Sequence, residues 1–283
     1  MRLDRALTLD DIAAEPAAVV WASASVERRV RASLPLPVVA EGVVPAGART
    51  VVAIGGGGLI DRAKAAVKRD GRAQRLVAVP SRWGSGAEVS PVIVLDDVAG
   101  KSIAVDAAFV PDARGVWPEL AATVAEREAL DGCADVWAHA LEALVSPLAD
   151  DAVRADARAV LDDLAGLGPR DPRWFEASAR ACAVQARAGV GLVHGIAHVL
   201  EARTPFGHAA LVAAWLMPCW DLLRGRRAVD AVPPLALFNA DVQRRTATAL
   251  REHWPAVLRD PCTRTNGARV RRDDLTLLTE WSP

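Results

Sequence analysis

The sequence predicts an α/β half followed by an all-helical half, with the change of character near residue 120. Up to that point short β-branched runs alternate with glycine-rich turns and helical stretches, the pattern of a sheet built through crossover helices. From Pro118 onward alanine-rich segments run at helical spacing without another β-branched run. The two domains expected are therefore 1–120 and 121–283.

Taken in order, Ala17 to Ala22 (AAVVWA) is a first buried strand and Ser25 to Ser33 a charged helical segment. After a proline-rich connection, Thr50 to Ile54 is a second strand. Gly55, Gly56, Gly57 and Gly58 follow directly, and then LIDRAKAAVKRD at helical spacing. Strand, glycine turn and helix together make an anion site, because helix N-terminal amides point outward and glycine lets a pyrophosphate come close. A tight structural turn would use the same glycines. Leu76 to Pro80 is a further strand, ending in SRWGSGAEVSP, so two consecutive strands carry polar loops to one sheet edge, where open α/β sheets bind nucleotides. Pro91 to Leu95 and Ser102 to Val105 form a hairpin carrying Lys101. In the helical half, turns are expected at Ser146-Pro147, Gly166 to Pro172 and Thr204 to Gly207.

All five histidines lie in the helical half, and four of them fall into two clusters. On a helix through Val193, Ile196, Val199 and Leu200, His194 and His198 lie four apart on one face. Asp135 and His139 repeat that spacing in DGCADVWAHALEAL. His208 follows Pro205 and Gly207, so a loop after the helix end is expected to return a third imidazole. A carboxylate with imidazoles suits Fe²⁺ or Zn²⁺ better than Ca²⁺ or Mg²⁺. Satisfied core histidines are the alternative.

A chain of 283 residues can bury two cores. With 34 basic and 35 acidic residues its net charge is −1, so nothing draws it to nucleic acid or an anionic membrane. Cys133, Cys182, Cys219 and Cys262 form no CxxC pair and read as reduced thiols of a cytoplasmic protein. Asp4, Asp10 and Asp11 interrupt any signal peptide, and the apolar stretch Ala209 to Trp220 is too short to span a bilayer.

Four motifs in order, GGGGLIDRAK, PSRWGSGAEVSP, DGCADVWAHALEALVSPLADD and AGVGLVHGIAHVLEARTPFGH, resemble the signatures of the iron-containing (group III) alcohol dehydrogenase family. The resemblance implies a Rossmann-like N-terminal domain binding NAD or NADP and a helical metal-binding C-terminal domain, the architecture shared with dehydroquinate synthase. It implies Asp135, His139, His194 and His208 as ligands of Fe²⁺ or Zn²⁺, with His198 relaying protons. The cofactor residues it implies are Gly55, Gly56, Gly57, Asp61, Lys64, Ser81, Ser85 and Lys101. The expected activity is hydride transfer between an alcohol and a nicotinamide, the metal acting as Lewis acid, and the expected assembly is a homodimer.

Several positions depart from the family pattern. Gly58 stands for a serine, Arg82 and Trp83 for small residues, and Trp117 for an aspartate before Pro118. Arg82 could meet a phosphate or block the cofactor. Ser23 stands where NAD-preferring members carry an acid, which makes NADP plausible. The chain is short for the family, which suggests an open site for a bulky substrate. Compact relatives of this kind resemble daptide-type dehydrogenases, which oxidise a C-terminal threonine that then loses CO₂. Two further readings are a non-catalytic subunit of a biosynthetic complex and a metal-dependent lyase of the dehydroquinate synthase kind.

Overall fold

The computed structural model describes residues 4–97 and 100–283 and divides into two compact units. The first is Met1–Ala125 with Arg170–Ala179; the second is Glu126–Pro169 with Arg180–Pro283.

In the first unit, α1 (Leu9–Ala13) starts on a capping box between Thr8 and Asp11. The strands β1 (Ala18–Ala22), β2 (Thr50–Gly55), β3 (Arg75–Pro80) and the two-residue β6 (Ala113–Arg114) form a parallel sheet in the order β1-β2-β3-β6. Val51, Val52, Ala53, Leu76, Val77 and Ala78 are all fully buried, which explains why these strands read as unbroken apolar runs rather than alternating ones. Between β1 and β2 runs α2 (Glu27–Ser33), and α3 (Gly57–Lys64) follows β2 and continues as a π-helical turn to Arg69. Trp21 anchors one face of the sheet, packing with Val19, Val51, Ile60 and Ala63 while its indole N–H donates to Val43 O at 2.9 Å. The hairpin is β4 (Val92–Asp97) paired antiparallel with β5 (Gly100–Val105). Strand β6 had no signal in the sequence, because two residues are too few to show a period.

Glu88, in the loop after β3, is buried, and burial pushes its carboxyl up to about 7 from an ordinary 4.5, against the pull of Arg114 and Lys64. The unfolded chain releases this proton near 4.5 and the folded chain holds it to about 7, so folding is progressively weakened as pH rises between those values. The total is about 3 kcal/mol. Glu88→Gln is therefore expected to stabilise the first unit at about pH 8 and to lose that advantage near pH 4, read as urea midpoints.

The second unit is a helical assembly of α4 (Glu126–Val145), α5 (Asp151–Leu164), α7 (Leu192–Glu201), α8 (His208–Arg224), α9 (Ala240–Val257), α10 (Pro261–Arg264) and α11 (Asp274–Thr279). The helix α6 (Trp174–Ala188) precedes α7 in the chain. The predicted turns fall where α4 gives way to α5, α5 to α6 and α7 to α8. Asp150 caps α5 by accepting from Val153 N at 2.7 Å, and Asn239 caps α9 by accepting from Val242 N. The core of this unit is α4 packed on α8 and α5, with α7 on α8 and α9. Nearly every residue of α4 from Asp131 to Val145 is buried, including its polar ones, which makes those the residues to explain. No helix among the described residues is long and apolar enough to cross a membrane.

Candidate metal centre and cofactor loops

In the first unit β2 and β3 end side by side, Gly55 facing Pro80 in register, and Ser81 N donates to Gly55 O at 2.9 Å. The two polar loops thus leave one sheet edge together. Gly56 caps α3, so Gly57 and Gly58 lie inside the helix rather than in the turn before it, and the first-turn amides point outward. A Cβ on Gly57 would meet Ser85 Oγ at 2.6 Å; only glycine lets the serine loop sit this close. The Arg82 side chain lies over Gly56, within 3.1 Å of where a Cβ would be, so the arginine is placed on the glycine turn itself.

Asp61 and Lys64 lie deeper. Lys64 is fully buried, and its ammonium donates to Asp61 Oδ1 at 3.1 Å, Ser90 O at 3.0 Å and Val92 O at 2.9 Å. Asp61 Oδ2 accepts from Val94 N. Three donors meet three acceptors, so the pair ties α3 to β4 and leaves the ammonium no donor for a phosphate. Burial raises the Asp61 carboxyl despite Lys64 beside it. The backbone of Lys101 pairs with Asp96; the Lys101 side chain, expected at the cofactor, lies outside the described residues.

In the second unit Asp135, His139 and Glu142 follow one another at spacings of four and three on α4, all buried. Helix α7 contributes His194 and His198. His208 is the first residue of α8, not part of a loop: Gly207 takes the extended conformation of an N-cap, and the apolar run beginning at Ala209 continues the helix. Asp135 Oδ1 is the hub, with His194 Nε2 at 3.4 Å, His139 Nε2 at 3.8 Å and His208 Nε2 at 3.9 Å. Ligands on a tetrahedral ion with bonds of about 2.1 Å lie about 3.4 Å apart. The ligating atoms of Asp135, His194 and His208 all fall within 4.8 Å of one another. His139 stands beside this trio, its ring stacked on His194 at 4.7 Å.

Whether these side chains fit a cation is answered by their unmet valences. Asp135 Oδ1, His139 Nδ1 and His194 Nε2 are buried without a hydrogen-bond partner. Glu142 Oε2 lies 2.6 Å from His194 Nδ1, and Glu142 Oε1 accepts from Val193 N at 2.8 Å. The carboxylate holds the proton on Nδ1, so Nε2 turns a lone pair toward the lone pairs of Asp135. Two acceptors face each other while buried, which is the arrangement a cation satisfies. The negative charges that would hold a cation here also draw a proton to His194. Burial would lower the His194 imidazole, but the Glu142 and Asp135 charges outweigh it and push it up to about 10. Burial would also raise Asp135, yet the surrounding histidines hold it below the usual carboxylate range. His139 is pulled down by burial to about 4, the neutral form a metal takes. His208 is the partly exposed member, its side chain 30% accessible, and marks the open side of the site.

His198 is set apart from this trio. Its ring lies 5.5 Å from that of His208, and its Nδ1 faces Asp260 Oδ2 at 3.9 Å and Cys262 Sγ at 3.7 Å. Glu142, Asp260 and Cys262 are the residues that sequence reasoning missed. Glu142 had a signal, since it continues the Asp135–His139 face by a further three residues. The other two had none, because they are far from His198 in the chain.

Residues 22–114 match the model of the iron-containing alcohol dehydrogenase family. The 1-propanol dehydrogenase PduQ of Salmonella typhimurium is 32% identical over 181 residues, 56% of this chain and 48% of that protein. An aldehyde-alcohol dehydrogenase of Streptococcus pneumoniae is 28% identical over 65% of this chain and 20% of its own. The chain thus spans half or less of the length of these relatives. Among solved structures, an iron-containing alcohol dehydrogenase from Thermococcus thioreducens superposes with a TM-score of 0.74 at 19% identity, covering 97% of each chain. A 1,3-propanediol oxidoreductase does so with 0.70 at 17%, covering 92% of this chain and 91% of its own. The α/β-plus-helical fold expected from the sequence is the fold of these proteins.

Proposed function

We propose that this chain belongs to the iron-containing alcohol dehydrogenase family, whose model its residues 22–114 match, and interconverts an alcohol and its carbonyl compound using a nicotinamide dinucleotide. The observation that carries the reading is the pair of buried, partnerless lone pairs on Asp135 Oδ1 and His194 Nε2, 3.4 Å apart. Asp135, His139, His194 and His208 would hold a divalent ion, Fe²⁺ or Zn²⁺. Bound there, the ion supplies Lewis acidity, making an alcohol hydroxyl easier to deprotonate and a carbonyl easier to reduce. The protein supplies the rest. Glu142 keeps His194 in the ligating tautomer. His208 leaves one side accessible to substrate. His198, with Nδ1 turned to Asp260, has Nε2 on the opposite side of its ring to take up the substrate proton. In the first unit, the amides at the start of α3, with Ser85 and Arg82, are suited to the dinucleotide phosphates.

The test is anaerobic loading with Fe²⁺ or Zn²⁺, followed by absorbance of reduced nicotinamide with NAD or NADP over short alcohols, diols and peptides ending in threonine. Turnover of propanol-like substrates supports the general reading, and preference for the peptide its biosynthetic form. A protein that binds metal and dinucleotide but turns over nothing is a non-catalytic subunit. His198→Ala is expected to lower kcat by about a hundredfold with the cation at the Asp135 centre retained, read from single-turnover hydride transfer across pH.

A further inference from the structure

Helix α10 packs against α7, and the approach is close because residue 195 is a glycine. A Cβ there would meet Thr263 Oγ1 at 2.6 Å. The contact brings Asp260 and Cys262 against His198. Asp260 Oδ1 accepts from Cys262 N at 2.8 Å, fixing the carboxylate beside the thiol, while Oδ2 points to His198 Nδ1 at 3.9 Å. Cys262 Sγ lies 3.7 Å from the same nitrogen. One ligand atom from each residue falls within 4.8 Å of the other two. A tetrahedral ion bound by sulfur and nitrogen separates those atoms by about 3.6 Å, so this trio needs only small adjustments. All three side chains are partly accessible, leaving a path for the ion and a fourth position for water.

We propose that His198, Asp260 and Cys262 form a second cation site, for a thiophilic divalent ion such as Zn²⁺, beside the centre built on Asp135. A sulfur, a nitrogen and a carboxylate oxygen suit Zn²⁺ or Co²⁺ and disfavour Mg²⁺ and Ca²⁺. Binding replaces the thiol proton, which leaves to solvent, by the metal–sulfur bond. The ion also occupies Nδ1 of His198, so the ring keeps its proton on Nε2 and cannot accept another. Occupancy therefore inhibits turnover. That consequence rests on the proton-transfer role proposed for His198, whereas the binding itself does not.

Co²⁺ distinguishes the two centres, because only a thiolate ligand gives the strong near-ultraviolet charge-transfer absorption and the Asp135 centre has no sulfur. Anaerobic titration of the 283-residue chain with Co²⁺ is expected to fill one site without that absorption and a second with it. Cys262→Ser is expected to abolish the absorption while the first equivalent still binds. Asp260→Asn, which keeps an acceptor for Cys262 N, is expected to weaken the second equivalent by about tenfold or more. Absorption that never appears, or that survives Cys262→Ser in a protein with native circular dichroism, overturns the proposal. A second site that fills in a protein with no dehydrogenase activity leaves it standing and removes only the functional reading.

Discussion

Asp135→Ala is expected to give a folded protein that retains no divalent cation at the Asp135 centre and oxidises alcohol at least about a thousandfold more slowly, a loss of about 4 kcal/mol in transition-state stabilisation. The size follows from the position of Asp135 Oδ1, which lies within 4 Å of the Nε2 atoms of His139, His194 and His208. Among the described residues it is the carboxylate that faces all three of those nitrogens. Without it three imidazoles would have to hold the ion with their mutual repulsion uncompensated. Metal content after gel filtration and kcat on the same preparation check the result. Full metal retention with full activity would place the cation elsewhere and remove the basis for the proposed chemistry.

Replacing Glu142 is expected to be nearly as damaging, although it touches no substrate. In Glu142→Ala two buried donors, His194 Nδ1–H and Val193 N–H, lose their acceptors, at about 1–3 kcal/mol each. Metal affinity should fall by about 10–100-fold because the His194 ring is no longer oriented. Glu142→Gln separates positioning from packing. One amide oxygen cannot serve both donors, and an amide N–H facing Nδ1 would move the imidazole proton to Nε2, where the cation belongs. The Gln variant should therefore keep most of its thermal stability yet bind metal weakly and lose kcat in proportion. Unchanged metal affinity in both variants would show that Glu142 only fills space.

Much of the fold was legible because its elements are local. The strands at Thr50 to Gly55 and Arg75 to Pro80 are unbroken apolar runs, and glycine marks where the first gives way to a helix. At two helix starts the reading differs from the structure for one reason. Gly57 and Gly58 belong to α3, and His208 opens α8, since a glycine before a helix signals a cap or a turn equally well. Lys64, expected among the cofactor residues, is buried among the acceptors Asp61, Ser90 and Val92. Two of those acceptors are backbone carbonyls, which every residue possesses and no sequence advertises.

Spacing along the chain was enough to place Asp135 with His139 and His194 with His198 on common helix faces, because i and i+4 meet on any helix. Only packing decided that Asp135 Oδ1 would become the hub, that Glu142 would hold His194, and that Asp260 and Cys262 would close on His198 across the gap left at Gly195. Periodicity is a property of one helix, and the meeting of two helices depends on the volumes of all the side chains between them.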